Sequence, residues 1–223
     1  MAGEEGKPCN AFENWVRGRE VHVCRAPDVG DAVAAPVVAG INDIIRRTGL
    51  TDFMIDPERH YLGVDLRSME LAALATDGEG RLDGAALGKL LTAGAGRDLS
   101  RKGRPHADVL ISGQSLALGS ELWGQADFAS GYIVISVPGS RQSDLEYIRS
   151  IARHEAGHLF GFRFHHEDSG ETAGYGKADG CVMSRSATSP DICAMCLDAL
   201  VHFWKGIEEL HGEKFIKKRF WLF

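Results

Sequence analysis

The stretch His154-Glu155-Ala156-Gly157-His158 places two histidines four residues apart and a glutamate directly after the first. On an α-helix, residues i and i+4 lie on one face, so both imidazoles can bind the same metal ion. Glu155 then projects toward that ion without having to bind it, and its carboxylate can act as a general base on metal-bound water. The pattern therefore predicts a zinc site on a helix.

A third ligand is expected soon after this helix. Gly161 ends the helix and lets the chain double back, and a pair of histidines follows at 165 and 166. A catalytic zinc takes three protein ligands and keeps a fourth position open for water. Histidine is its commoner partner, so we predict that the third ligand is His165. The alternatives are His166, Glu167 and Asp168.

This pattern is typical of a zinc metallopeptidase. Zinc would lower the pKa of its water to about 7. Glu155 would take the proton as the hydroxide attacks a peptide carbonyl, and would then pass it to the leaving amine. Two other interpretations are core histidines on a buried helix face, and a non-catalytic zinc module that binds a peptide or protein partner at the cleft. Glu155 favours the enzyme, because a pure binder needs no carboxylate beside the open metal position.

Three cysteines follow the histidines and indicate a second metal site. Cys193 and Cys196 form a C-x-x-C at the start of the last helix, and Cys181 precedes them. Three thiolates with one more ligand complete a closed tetrahedral zinc site, and His166 is the natural fourth. A redox C-x-x-C is the alternative, but it lacks a βαβ context and leaves Cys181 unexplained. We therefore predict two zinc ions per chain, one catalytic and one structural.

The composition is that of an ordinary globular protein, with 223 residues, 44% hydrophobic and 25% charged. The net charge of -6 argues against a general nucleic-acid binder. The one basic run, at 214–219, is interpreted as the solvated end of a helix. The sequence shows neither a signal peptide nor a membrane-length apolar span, so we expect a cytoplasmic protein without a membrane partner.

Apolar patterning predicts the order of the elements. Alternating or β-branched runs predict strands at 21–25, 61–66, 108–112 and 132–137, and the segment 123–130 is either an edge strand or a loop. Helical spacing predicts helices near 37–45, 69–75, 85–91 and 145–158, and a last one from 196 onward. The motif helix therefore follows directly after the most apolar strand.

Over roughly residues 108–200 the chain resembles the archaemetzincins, a family of metzincin-type zinc peptidases. Their signature runs H-E-x-x-H-x-x-G-x-x-H-C, then C-x-M, then C-x-x-C. The corresponding segments here are 154–166, 181–183 and 193–196. Two departures are that the third histidine lies one residue further from Gly161 and that His166 stands where the family has a cysteine.

The resemblance implies an α+β, metzincin-like fold, in which a twisted mixed sheet and helices lie above the active-site cleft and a smaller, irregular or helical part lies below it. It implies one metallopeptidase domain over 1–223, with an upper subdomain at about 18–161 and a lower one at about 162–223. An extended peptide or unstructured protein substrate would add to the edge strand of the sheet, which we expect within 123–130.

The resemblance also implies the role of each site residue. Glu155 would be the general base, and Met183 would be the Met-turn residue that packs beneath the catalytic zinc without binding it. The catalytic zinc ligands would be His154, His158 and His165. The structural zinc ligands would be His166, Cys181, Cys193 and Cys196.

Overall fold

The computed structural model of the protein describes residues 20–95, 108–117, 123–127, 131–162, 165, 180–184 and 189–217. Its strands are β1 (Val23–Arg25), β2 (Val109–Ser112), β3 (Gly124–Asp127) and β4 (Tyr132–Ser136). Its α-helices are α1 (Ala34–Thr48), α2 (Pro57–His60), α3 (Leu66–Leu74), α4 (Gly84–Ala95), α5 (Leu145–Leu159) and α6 (Ala194–His211).

The four strands form one mixed sheet in the order β1-β2-β4-β3. β1, β2 and β4 are parallel, and β3 pairs antiparallel with β4 at the edge. The two central parallel strands, β2 and β4, are buried along their whole length, as expected of strands that are covered on both faces. The predicted α+β class with a twisted mixed sheet is confirmed. Of the two alternatives predicted for 123–130, the structure has the edge strand, at Gly124–Asp127.

Alternate side chains of the strands enter two hydrophobic cores, because successive residues of a strand point to opposite faces. In β2, Val109 and Ile111 join the larger core with residues of α1, α5 and α6. Leu110 joins the smaller core with residues of α3 and α4. Helices therefore cover both faces of the sheet, and α5 lies on the face with the larger core.

α1 and α5 pack unusually close together. A Cβ atom at Gly40 of α1 would overlap the carbonyl oxygen of Arg149 and the Cβ of Ala152, both on α5. Only glycine permits this approach of the two backbones. α5 is thus fixed between α1 and the sheet, and it ends at Leu159, two residues before Gly161, whose φ of 110° turns the chain away.

The last helix is bound to the end of α5 through Trp204. This buried indole donates a hydrogen bond of 2.8 Å from Nε1 to the carbonyl oxygen of Phe160. Its ring packs edge-on against Phe53 and Phe215. The carboxylate of Glu208 accepts the backbone N–H groups that follow the helix, including that of Phe215 at 2.7 Å. The chain after α6 therefore folds back onto the core.

Two predictions about local structure are wrong. Residues 61–66 do not form a strand, since Tyr61 makes a single bridge to Val23, Gly63 turns the chain at a φ of 66°, and Asp65 caps α3. The basic run does not end a helix, because α6 already stops at His211 before Gly212, whose φ is 67°. In both places a glycine with positive φ overrides the apolar or charge pattern.

Within the part of the chain that the structure describes, no helix has the length and apolar character needed to cross a lipid bilayer. The division into an upper and a lower subdomain near residue 161 stays a prediction.

Candidate active site

Three histidines converge at the C-terminal end of α5. His154 and His158 lie one helical turn apart, and His165 follows the turn at Gly161. Their ligand nitrogens all lie within 4.8 Å of one another. The imidazole centroids of His154 and His158 are 4.7 Å apart. The centroid of His165 lies 5.2 Å from that of His154 and 5.1 Å from that of His158. The structure thus brings together the three predicted ligands of the catalytic zinc.

The backbone fixes which nitrogen each of the two helical imidazoles offers. Nδ1 of His154 lies 2.7 Å from the carbonyl oxygen of Val182, and Nδ1 of His158 lies 2.5 Å from that of Phe162. A carbonyl only accepts hydrogen bonds, so in both rings Nδ1 carries the hydrogen. In a neutral imidazole the other nitrogen, Nε2, is then a bare acceptor. Such anchoring is typical of metal-binding histidines.

The two bare Nε2 atoms face each other at 3.1 Å. Burial lowers the pKa of His154 to about 4, and burial also lowers the pKa of His158, so both rings are neutral near pH 7. Two lone pairs at this distance repel each other unless a cation lies between them. Zn–N bonds of about 2.0–2.1 Å in a tetrahedral site set the nitrogens roughly 3.3 Å apart, so the pair fits zinc.

Glu155 lies between α5 and the edge strand. Its side chain is buried, with 5% of the residue exposed, and burial raises its pKa to about 8. A Cβ atom at Gly124 of β3 would overlap the carboxylate and its Cγ. The absence of a side chain at Gly124 therefore makes room for the glutamate beside the edge strand. A pKa close to neutrality is typical of carboxyl groups that serve in general acid–base catalysis.

Residues 181–184 form a turn beneath the two helical histidines. The N–H of Ser184 donates to the carbonyl oxygen of Cys181 at 3.0 Å and closes the turn. Met183 is fully buried, and a Cβ atom at Gly157 would overlap its sulfur. The thioether thus packs against α5 at the residue before His158, which is the position predicted for the Met-turn residue.

The three cysteines form a second cluster. The sulfur atoms of Cys181, Cys193 and Cys196 all lie within 4.8 Å of one another, and those of Cys181 and Cys196 are 3.7 Å apart. This separation excludes a disulfide, whose S–S bond is about 2.05 Å. It is close to the spacing of roughly 3.8 Å that Zn–S bonds of about 2.3 Å give in a tetrahedron.

Backbone N–H groups support thiolates in this cluster. The N–H of Cys193 donates to the sulfur of Cys181 at 3.4 Å, and that of Cys196 donates to the sulfur of Cys193 at 3.5 Å. A hydrogen bond from the thiol of Cys196, together with the backbone N–H of Cys193, lowers the pKa of Cys181. The same pair interaction and burial raise the pKa of Cys196. Backbone donors of this kind support a thiolate, which is the form of cysteine that binds zinc.

Three candidates lie outside the described residues: His166, Glu167 and Asp168. The fourth ligand of the thiol cluster therefore stays a prediction, as do the individual roles of the site residues. Sequence reasoning missed Gly124 and Gly157, which make room for Glu155 and Met183. The glycine inside the H-E-x-x-H pattern could have indicated a close contact at that position. Glycine destabilises a helix interior, so its presence there suggests that another residue packs tightly against the helix.

No family model and no curated protein matches the sequence at a significant level. Among solved structures, the fold is similar to that of archaemetzincin from Methanopyrus kandleri, with a TM-score of 0.52 and 19% sequence identity. The match covers 85% of this chain and 98% of that chain. The fold implied by the sequence motifs is thereby confirmed: this protein has the archaemetzincin fold.

Proposed function

We propose that this protein is a zinc-dependent metallopeptidase with a second, structural zinc. The observation that carries the proposal is the pair of bare Nε2 atoms of His154 and His158, which face each other at 3.1 Å. His165 completes a three-nitrogen set, which leaves one position of a tetrahedral zinc for water or substrate. Closed structural sites use four protein ligands, so a set of three ligands among the described residues favours catalysis.

The protein residues would divide the work as follows. Zinc, when bound by the three histidines, supplies a Lewis acid that polarises a carbonyl and acidifies water. Glu155 accepts the proton of the attacking water and returns it to the leaving amine. The carbonyl groups of Val182 and Phe162 hold the imidazoles in the tautomer that binds metal. Met183 fills the space beneath the site.

The edge strand is the proposed binding site for the substrate backbone. Within the described residues, β3 pairs with β4 on one side only, at the end of the sheet. Gly124 of this strand contacts Glu155, so a peptide that paired with β3 would run past the general base. An extended peptide or an unstructured protein segment can make such main-chain hydrogen bonds. A folded substrate would first have to unfold locally.

We expect two zinc ions per chain in protein purified without added metal, as measured by elemental analysis. His158→Ala removes one imidazole from the open site, and we expect this variant to retain one zinc. The parent should also cleave a library of unstructured, quenched peptides, and His158→Ala should not. A parent that takes up no zinc on titration would contradict the proposal. A parent that holds two zinc ions but cleaves no peptide would favour the non-catalytic binding module.

We expect Gly124→Ala to slow peptide cleavage without loss of zinc. The new methyl group overlaps the carboxylate of Glu155, which must move. A displacement of about 1 Å in a catalytic group lowers the rate up to roughly 100-fold. The measurement is kcat on a quenched peptide together with zinc content. Gly78→Ala is the control, because a Cβ there meets nothing within 4 Å. Equal rates for the two variants would show that the contact between β3 and Glu155 has no catalytic importance.

A further inference from the structure

Four arginines surround a cavity of about 290 Å³ beside α5. Arg149 and Arg153 come from α5, and Arg46 and Arg47 come from the end of α1. The carboxylates that share the cavity are those of Asp43 and Asp191. The whole protein carries a net charge of -6, so a local excess of guanidinium groups is opposite in sign to its surroundings. Such an excess attracts anions.

Arg153 is a buried residue in the lining of this cavity. Only 8% of its side chain is exposed, and its Nε donates a hydrogen bond of 2.7 Å to Asp43. Its Nη1 is buried and, among the described residues, has no hydrogen-bond partner. A buried guanidinium donor without an acceptor is unfavourable, so an acceptor is expected to occupy the adjacent cavity.

The carboxylates of the cavity are already engaged. The carboxylate of Asp43 accepts hydrogen bonds from Nε of Arg153 and from Nε of Arg149, the latter at 3.1 Å. It also accepts one from Nη1 of Arg46 at 3.4 Å. Arg47 pairs with Asp191 at 2.5 Å. A carboxylate offers about four lone-pair positions. The four arginines and two aspartates that line the cavity leave an excess of two positive charges, and the exposed carboxylate of Glu146, outside the lining, lies 4.0 Å from Arg149. An excess of this sign favours an anion such as a phosphate dianion.

We propose that this cavity binds a dianionic phosphate group, either inorganic phosphate or the phosphate of a monoester. Guanidinium forks from two helices converge on it, and arginine is the preferred partner of phosphate oxygens because its planar donors bind two oxygens at once. The site is separate from the metal centre, because none of the three histidines lines the cavity and the face of α5 that bears Arg149 and Arg153 lies roughly 140° around the helix from that of His154 and His158. The proposal of a phosphate site does not depend on the proposed peptidase function.

The test is a calorimetric titration of the zinc-loaded full chain with inorganic phosphate at low ionic strength. We expect saturable binding of one phosphate per chain. Arg153→Met should weaken it about tenfold or more, since it removes a charge-assisted hydrogen bond. Asp191→Asn should tighten it several-fold, because a competing negative charge at the rim is lost. Arg67→Met is the matched control on α3, where Arg67 pairs with Glu70, and should bind like the parent.

Phosphate can also bind zinc, and His158→Ala separates the two sites. Binding that persists in this variant belongs to the arginine cavity, whereas its disappearance would overturn the proposal. If Arg153→Met does not fold, Arg47→Met at the exposed rim takes its place and should weaken binding several-fold. Unsaturable binding in the parent, or equal affinity in the parent and the arginine variants, would also overturn it. Tighter binding of phosphoserine would identify a monoester as the ligand, and equal binding would identify free phosphate.

Discussion

Replacing Glu155 with glutamine is expected to lower peptide cleavage by about 10²–10⁴-fold while the zinc content stays the same. The amide keeps the shape of the carboxyl group but cannot accept the proton of the attacking water. Zinc is retained because the ligand nitrogens belong to the three histidines. The measurements are kcat on a quenched peptide and elemental analysis of the purified variant.

The fold is expected to tolerate this change. Burial raises the pKa of Glu155 to about 8, which means that the folded protein disfavours the charged carboxylate. A neutral amide at this position therefore should not lower the melting temperature, so any loss of cleavage is a loss of chemistry. Glu146→Gln is the matched control on the same helix, where the carboxylate is 82% exposed. A Glu155→Gln variant that cleaves as fast as this control would exclude Glu155 as the general base.

The second large effect is expected from Cys196→Ala, which should remove one zinc per chain and lower the melting temperature by about 10 °C. A metal site filled at about a thousand times its Kd contributes about 4 kcal/mol to the free energy of unfolding. In a domain of this size each kcal/mol corresponds to roughly 2–4 °C. Thermal unfolding and elemental analysis on the same preparation measure the two changes.

Cys24→Ala is the control for the loss of a buried thiol. Cys24 and Cys196 both have 0% exposure, but Cys24 lies in the smaller core, away from the cysteine cluster. We expect this variant to keep two zinc ions and to lose only the small amount of stability that comes from a cavity of one sulfur atom. If the two variants had equal zinc contents and melting temperatures, the cysteine cluster would not be a metal site.

Much of this architecture could be predicted from local patterns. Continuous apolar, β-branched runs identify β2 and β4. Apolar residues at helical spacing identify the helix that leads to His154. The fixed spacing of the H-E-x-x-H pattern predicts two of the converging imidazoles, because helical geometry converts sequence separation into distance. The convergence of Cys181 with the C-x-x-C was expected from metal chemistry rather than from periodicity.

The remaining features depend on contacts between distant segments. The tautomers of His154 and His158 follow from carbonyl groups at Val182 and Phe162, and nothing in the helix sequence indicates these partners. The segment at 61–66 alternates like a strand, yet the positive φ at Gly63 and the cap at Asp65 end it after a single bridge. Local patterning cannot show which of two compatible conformations tertiary packing will select.

The turn at 181–184 also joins the two proposed metal sites physically. Cys181 belongs to the thiol cluster, the next carbonyl group holds His154, and Met183 packs on Gly157. Loss of the thiolate-bound ion would release this turn and with it the support of the imidazole site. Because coupling between two binding sites is reciprocal, an ion at the imidazole site would support the thiol cluster by the same free energy. We therefore expect positive cooperativity, in which an ion at either site raises the affinity of the other site.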